Sequence, residues 1–460
     1  MIREYEYEGD WWLPEQPEQR IRGKLKFTPQ EGAVLHLIGS HQDLERIMKT
    51  SNLGIIQGFS SDGKKITLYN CLFKHIKVSY PGMPVCLLHV TYVFVGTHFE
   101  RPEDIKFKSL WVRFLYLDDW VNISGFKMQP PTKGRFTVKY KRPEDIHANV
   151  SNDLKVSIRF GIEYPTFSRL QKEVNIKQRA HMGITPTVAR SLNEYLEIIY
   201  RIQNFLALAI MEPVHPLSVE GILESKKNEM ENKETYDSVD ISYRLSNIPN
   251  PSETFPWDMV FTYKEISRKF RSLLKNWFSK AELLKPVSDL FFGTLYNPRM
   301  YLTNEFQNLV QAIESYHRRT MRNYDLPKKQ HQKRIAEILR AIPEKHEKWL
   351  ERKLTYSNEP ILRKRLMDIL NSCPEAINRI TKNKEWFISK TVDTRNYLTH
   401  FDPELRKRSA ENGELYDLTS TLRMILQSCL LKELGFDSKS LERLVLKSIQ
   451  IRHPLLMHSK

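Results

Sequence analysis

The chain has 460 residues, of which 40% are hydrophobic and 11% aromatic, which excludes an intrinsically disordered protein and allows two or three folded domains. Its formal net charge of +16 favours an anionic partner, nucleic acid being the commonest, although a generally basic surface is the alternative. Residues 301–460 contain 30 Lys and Arg against 20 Asp and Glu, so they hold 10 of the 16 excess positive charges. No apolar run approaches the roughly 18 residues of a membrane-spanning helix, so we expect no membrane partner.

The cysteines and the first residues of the chain indicate its compartment. Cys71, Cys86, Cys373 and Cys429 are scattered and form no CxxC pair, which argues against a zinc site and against a disulfide framework. Residues 1–5 contain no apolar signal core. HExxH sequences and Walker-type glycine loops are also missing from the sequence. We therefore expect a cytoplasmic protein that uses no metal and no other cofactor.

Residues 1 to about 180 have the pattern of β structure. Apolar and polar residues alternate with a period of two in three segments, and two further segments are continuously apolar: 22–27, 65–69 and 135–140, then 85–95 and 110–117. Turn sequences such as Ser61-Asp62-Gly63 separate these segments. Many short strands at this spacing predict an antiparallel domain of the sandwich or barrel-like kind.

The hydrophobic period becomes helical after Pro186, beginning with a helix over residues 187–211. Residues 224–256 are charged and interrupted by a segment rich in Asn and Pro, which is typical of a linker or exposed excursion. Further helices are predicted at 262–284, 303–322, 329–355, 359–372, 375–392 and 414–434, with Gly435 as the C-cap of the last. The sequence thus predicts an α+β chain in three parts: a β-rich domain ending in a helix (1–215), a linker with connecting helices (216–294) and a helical domain (295–460).

A short set of polar residues near the C-terminus combines the groups that acid–base chemistry at a phosphate needs. Asn396 and His400 are four residues apart and share a helical face, with Arg395 about a quarter-turn away. Imidazole transfers protons near neutral pH, and guanidinium holds phosphate in fork geometry. Because an arginine followed by a histidine at this spacing is common by chance, the spacing alone is weak evidence.

The sequence around these residues resembles the HEPN superfamily (higher eukaryotes and prokaryotes nucleotide-binding), whose helical bundles carry the motif Arg-x4–6-His. The match is Arg395-Asn396-Tyr397-Leu398-Thr399-His400, with the favoured polar residue directly after the arginine. Flanking runs resemble the HEPN domain of ApeA-type anti-phage proteins: 392–394, 401–403, 413–416 and 430–435. Runs near the N-terminus resemble the domain that precedes this HEPN type: 9–14, 23–25, 56–58 and 66–71.

The resemblance implies an all-α HEPN bundle in residues 295–460 and a metal-independent endoribonuclease of anti-phage defence, acting by abortive infection. Arg395, Asn396 and His400 would be catalytic and would leave a 2′,3′-cyclic phosphate on host or phage RNA, with tRNA as one candidate. It also implies a homodimer through the HEPN domain, with one motif from each protomer facing a shared groove. We expect the β-rich domain to act as a sensor or regulator that restrains the nuclease until a phage-derived trigger arrives.

Further basic residues are candidates for RNA contacts: His317, Arg318, Lys328, Lys329 and Arg406. The first two lie on the predicted helix 303–322, where a solvated charged face is the stronger interpretation. The others lie in basic runs without aromatic residues, which would bind phosphates rather than read bases and are equally well explained as solvated surface.

Two other functions stay open at this point. The helical domain could be a degenerate HEPN bundle that binds RNA or a ligand without catalysis, or the chain could be the toxin of a toxin–antitoxin pair. The intact Arg395, Asn396 and His400 argue against the degenerate bundle, because a domain released from catalysis need not keep all three.

Overall fold

A computed structural model describes residues 4–39, 53–77, 82–164, 172, 174–224, 226–227, 234–235, 237–245, 253–381 and 383–452. The chain divides into two compact units, Met1–Lys275 and Asn276–Lys460. The first is built on antiparallel strands and the second on helices, which confirms the predicted α+β class.

Six antiparallel strands close into a barrel in the first unit. β1 pairs with β2 and β4, β3 pairs with β2 and β6, and β5 closes the ring by pairing with both β4 and β6. The strands are β1 (Tyr5–Trp12), β2 (Ile21–Thr28), β3 (Gly32–Ile38), β4 (Leu53–Ser60), β5 (Lys65–Lys77) and β6 (Val85–Val95).

The barrel interior is filled by the inward residues of these alternating strands. In β2, Leu25 and Phe27 are buried while Lys26 is exposed. Trp11 faces Gly58 across the β1–β4 pair, and a Cβ atom at Gly58 would lie 2.3 Å from the indole ring, so only glycine lets the strands approach this closely. Together with the aliphatic residues around it, Trp11 makes the barrel a packed core rather than an open channel.

An open sheet continues from the barrel. The end of β6 pairs with β18, and the sheet continues through β15, β8, β13 and β12 to β11. The remaining strands are β7 (Lys106–Phe107), β8 (Ser109–Phe114), β9 (Phe126–Thr132), β10 (Arg135–Tyr140), β11 (Ile146–Asn149), β12 (Leu154–Glu163), β13 (Lys177–Pro186), β14 (Arg190–Ser191), β15 (Pro216–Ile222), β16 (Lys226–Lys227), β17 (Glu234–Thr235) and β18 (Ser238–Tyr243).

Strand β18 corrects the interpretation of residues 224–256 as a linker or exposed excursion. Val239 and Ile241 alternate with polar residues and are buried in the sheet, which is the reason this short segment pairs instead of remaining a loop. The Asn-Pro text at 247–251 lies outside the described residues. The three-part division of the chain stays a prediction, although its middle part, 216–294, contains β15 and β18.

Helices cover the open sheet and build the second unit. Their bounds are α1 (Leu117–Val121), α2 (Leu192–Ile210), α3 (Tyr263–Ile266), α4 (Phe270–Ser279), α5 (Ala281–Leu295), α6 (Leu302–Thr320), α7 (Lys328–Arg340), α8 (Glu344–Leu354), α9 (Leu362–Asn371), α10 (Glu375–Thr381), α11 (Lys384–His400), α12 (Pro403–Arg406), α13 (Asn412–Leu434) and α14 (Ser438–Arg452). Single 3-10 turns occur at Pro102–Asp104 and Pro256–Asp258. Among the described residues, none of these helices has both the length and the apolar character that crossing a bilayer requires.

Several predicted helices are confirmed and others are corrected. α6, α9 and α13 lie close to their predicted bounds, and α13 ends at Gly435, whose φ of 100° is left-handed as expected for a C-cap glycine. The predicted helix 329–355 is two helices, because Pro343 begins a new one. The predicted helix 262–284 is likewise divided among α3, α4 and the start of α5, and α14 was not predicted.

Candidate active site

The motif residues lie on the last turns of α11. The predicted helix 375–392 begins correctly at Glu375 but is wrong after that: α10 stops at Thr381, and Asn383 caps a new helix by accepting a hydrogen bond from the backbone N–H of Trp386 at 3.1 Å. α11 then runs to His400 and ends because Phe401 adopts a left-handed backbone with φ of 54°. Helix geometry therefore places Arg395 and Asn396 on the penultimate turn and His400 at the C-terminus of one continuous helix.

Buried threonines hold this end of α11 in the bundle. Thr394 and Thr391 are fully buried, so the inward face of α11 is packed in the bundle directly beside the motif. The hydroxyl of Thr394 donates to the carbonyl of Lys390 at 2.7 Å and accepts from the backbone N–H of Ala410 at 2.8 Å. The second bond ties the segment that follows α12 back to the motif helix.

Arg395 is half-buried, and its guanidinium lies near one amide oxygen and one carboxylate oxygen. Its Nη1 donates to Oδ1 of Asn396 at 3.1 Å, and its Nη2 lies 3.9 Å from Oε2 of Glu314 on α6. The carboxylate nearest the guanidinium thus comes from another helix. Because 36% of the Arg395 side chain is exposed, part of the guanidinium stays accessible to an anion in solvent.

His400 is exposed at the end of the helix, and its imidazole has no hydrogen bond or ion pair with any residue in the described part of the chain. Nearby, the amide of Gln307 on α6 donates to the carbonyl of Leu398 at 3.0 Å, and the ring of Tyr397 lies 5.8 Å from that of Phe401. These contacts fix the backbone that carries His400 while leaving its imidazole accessible. An accessible imidazole and a guanidinium on one rigid helix can transfer a proton and bind a phosphate oxygen.

His317 is a correction to the candidate RNA contacts, because its side chain is completely buried. Its Nδ1 lies 3.1 Å from a guanidinium nitrogen of Arg365, and its Nε2 lies 3.1 Å from Oδ2 of Asp368. A guanidinium can only donate, so Nδ1 accepts and the ring proton is on Nε2, where it donates to Asp368. Burial lowers the pKa of His317, with the hydrogen bond to Asp368 acting in the opposite direction. His317 therefore supports the bundle from inside.

The other candidate RNA contacts lie on the surface, and some are engaged in ion pairs. Arg318 pairs with Glu359 at 2.7 Å, and Arg406 pairs with Glu411 at 3.1 Å. Lys328 and Lys329 are exposed at the start of α7 and have no ion pair to any described residue. Their contacts with RNA remain predictions.

Sequence reasoning did not identify the supporting residues of this site, namely Gln307, Thr394 and the pairing of Glu314 with Arg395. Their contacts depend on how α6 packs against α11, and the spacing of residues within a single helix does not predict that packing. Across the described ranges, no group of three or more His, Cys, Asp or Glu side chains is arranged to hold a metal ion.

Comparison with known proteins identifies two family matches. Residues 6–277 match the model described as ApeA N-terminal domain 1, which spans more than half of the chain, and residues 307–440 match the model described as Apea-like HEPN. A search of curated proteins and a search of solved structures each found no match. The second matched region contains α11 and the whole motif, and the order of the two regions is the order that the sequence runs indicated.

Proposed function

We propose that this chain, which belongs to the ApeA family of defence-associated HEPN nucleases, is an endoribonuclease that cuts RNA through Arg395, Asn396 and His400. The observation that carries the proposal is the placement of an exposed His400 and a half-exposed Arg395 on one anchored helix end inside the matched HEPN region. RNA supplies the 2′-hydroxyl that the reaction needs, so DNA should not be cut.

The proposed reaction needs no metal ion. A neutral imidazole removes the proton from the ribose 2′-oxygen, which attacks phosphorus, while a protonated imidazole gives its proton to the departing 5′-oxygen. The products are a 2′,3′-cyclic phosphate and a 5′-hydroxyl. Arg395 contributes by stabilising the additional negative charge on the phosphate oxygens in the transition state more than in the ground state.

Two histidines in opposite protonation states are required, and each chain carries one at the motif. A homodimer in which the motif helices face each other across a two-fold axis would supply both. In this assembly each chain contributes one His400 and one Arg395 to a shared groove. The dimer is a proposal supported by the chemistry and by the family to which the HEPN region belongs.

The biological role follows the family. We infer that cleavage of host or phage RNA stops phage growth by abortive infection, with tRNA as one candidate substrate. Because unrestrained cleavage of host RNA is toxic, we infer that residues 1–275 act as the sensor and respond to a phage-derived trigger.

Incubation of the purified full chain with total RNA in excess EDTA, followed by mapping of the RNA ends, tests the proposal. We expect cleavage with 2′,3′-cyclic phosphate and 5′-hydroxyl ends. The substitutions His400→Ala and Arg395→Ala should each abolish cleavage, whereas His346→Ala, which removes another exposed histidine of the helical unit, should not. A strict need for magnesium, or 5′-phosphate ends, would show that the mechanism is wrong.

A further inference from the structure

A polar cleft lies in the first unit, and its lining contains none of the residues assigned to the nuclease reaction. Its volume is about 660 Å³. The residues that line it come from the turn between β11 and β12 and from the segment around the start of α4: Asn149, Ser151, Asn152, Arg268, Arg271, Ser272 and Lys275. We call it the basic cleft, because its only charged lining residues are cations.

The amphipathic pattern of α4 forces Arg271 and Lys275 to the surface. Phe270, Leu273 and Leu274 are buried, and the ring of Phe270 lies 5.1 Å from that of Tyr263. At 3.6 residues per turn, Arg271, Ser272 and Lys275 fall within about 100° of one another on the opposite side of α4. Burial of the apolar stripe therefore fixes the direction in which Arg271 and Lys275 point.

The opposite wall is a turn whose backbone is held by hydrogen bonds. The N–H of Val150 donates to the carbonyl of Leu154 at 3.0 Å, and the N–H of Thr187 donates to the carbonyl of Asp153 at 3.0 Å. Asn149 and Asn152 are exposed there, so amide donors face the cations across the cleft. A wall of this kind can present hydrogen-bond donors without first becoming ordered.

The charge of the basic cleft is not neutralised by the protein. The carboxylate nearest in sequence, Asp153, already accepts a hydrogen bond from Ser151 at 2.6 Å and pairs with Arg190. Arg268, Arg271 and Lys275 have no ion pair with any residue of the described ranges. Lys24 of the same unit, by comparison, pairs with Glu6 at 2.6 Å, whereas the three cations that line the cleft are available to an external anion.

We infer that the basic cleft binds the phosphodiester backbone of RNA, an inference that rests on the proposed ribonuclease function and adds a second contact to its substrate. Arg271 and Lys275 are four residues apart, about 6 Å along α4, and Arg268 lies in the turn just before this helix, so the cations can meet successive phosphates of one strand. The lining contains no aromatic side chain on which a base could stack, so binding is independent of base sequence. The unit matched as ApeA N-terminal domain 1 thus holds RNA through charge.

The test measures RNA binding by the full chain, in a His400→Ala background that prevents cleavage. The probe is a labelled RNA of about 20 nucleotides, titrated at several salt concentrations. One variant combines Arg268→Gln, Arg271→Gln and Lys275→Gln. The matched control removes three exposed cations of the β9–β10 hairpin by Lys127→Gln, Arg135→Gln and Lys139→Gln, so that both proteins lose the same net charge.

We expect the cleft variant to bind at least about tenfold more weakly, and the slope of log affinity against log salt to fall by about 2, while the control keeps the slope. An unchanged thermal unfolding curve will show that the cleft variant is folded. Single-stranded DNA of the same sequence should lose affinity in parallel, because its backbone carries the same charge. Equal RNA affinity and slope in cleft variant and control would overturn the inference, as would cleft-dependent binding of ATP without binding of RNA.

The two hypotheses fail separately. If the wild-type chain cuts RNA but the cleft variant binds RNA as the control does, the nuclease proposal stands and the cleft inference is wrong. If the wild-type chain cuts no RNA, yet replacing the cleft cations abolishes RNA binding, the cleft inference stands and the nuclease proposal is wrong.

Discussion

Glu314 and Arg395 face each other from α6 and α11, with Oε2 and Nη2 3.9 Å apart. At this distance and exposure the pair contributes little to stability, roughly 1 kcal/mol or less. Its effect is to orient the guanidinium: Asn396 engages Nη1, and Glu314 attracts Nη2 from the opposite helix.

Glu314→Gln should therefore weaken catalysis while leaving the fold intact. We expect kcat for RNA cleavage to fall by about fivefold, which corresponds to about 1 kcal/mol, with little change in thermal unfolding temperature. Glu305→Gln on the same helix is the matched control, because Glu305 pairs with Arg423 at 2.7 Å and not with the motif. Equal activity of the two variants would remove Glu314 from the positioning of Arg395.

Phe401 should contribute to assembly of the composite site. It follows His400 directly, 68% of it is exposed, and its left-handed backbone is one that asparagine adopts readily. Phe401→Asn thus removes the ring without straining the chain, and we expect it to weaken both the dimer and RNA cleavage. Sedimentation velocity measures the dimer, with Tyr356→Asn as the control for loss of another exposed aromatic. A wild-type protein that is fully active as a strict monomer would refute the shared groove.

The buried network of His317 should be a major source of stability in the helical unit. Arg365→Met removes the donor to Nδ1 of the buried His317, while Glu359 keeps its pair with Arg318, and we expect a loss of about 3 kcal/mol in the free energy of unfolding. Arg363→Met removes an exposed guanidinium only two residues away, which pairs with Glu385, and should cost less than about 1 kcal/mol. Urea denaturation of both variants measures the difference. Comparable losses of stability in the two variants would show that burial of the guanidinium does not determine how much it stabilises the protein.

Acid should destabilise the first unit through His215. Burial lowers the pKa of His215 to about 4 from its ordinary value of 6.5. The unfolded chain then binds a proton that the folded chain excludes, so stability is complete above about pH 6.5 and falls as the pH drops. At about pH 5 this one group should cost about 2 kcal/mol.

His215→Gln should flatten this part of the pH profile whatever it does to stability at neutral pH. His89→Gln, which replaces an exposed histidine of β6, is the matched control. Thermal unfolding at a series of pH values between about 7.5 and 5 compares the slopes. An unaltered slope in His215→Gln would mean that other groups cause the acid sensitivity.

Separating the two units should release the nuclease. We expect residues 276–460 expressed alone to be more toxic to cells than the full chain, and His400→Ala to abolish that toxicity. Colony counts after induction measure it, with fragment solubility and dimerisation as controls. A soluble, dimeric and harmless fragment would instead show that the first unit is needed for activity.

The local patterns of the sequence predicted much of this fold. Of the three period-two segments, 22–27 and 65–69 are in the barrel strands β2 and β5, and 135–140 is strand β10 of a hairpin. Gly435 ends its helix as expected. Other features depend on contacts between distant residues. The helix break before Lys384 places the entire motif on one helix. In the sequence this break is marked only by the capping asparagine, which cannot be distinguished from any other polar residue of a helix. Likewise, Glu314 is 81 residues from Arg395 in sequence, so only tertiary packing reveals their pairing.

The position of β6 has a consequence for how the first unit opens. One edge of β6 pairs along its length with β5, while the other pairs first with β3 and then with β18. The barrel and the open sheet therefore cannot unfold independently, because detaching β6 breaks both at once. Amide protons of β6 should exchange only through global unfolding of this unit. A truncation after the barrel would remove β18 and leave the end of β6 with an unpaired edge, which invites aggregation. Any exchange of this unit between relatives therefore has to move the barrel and the sheet together.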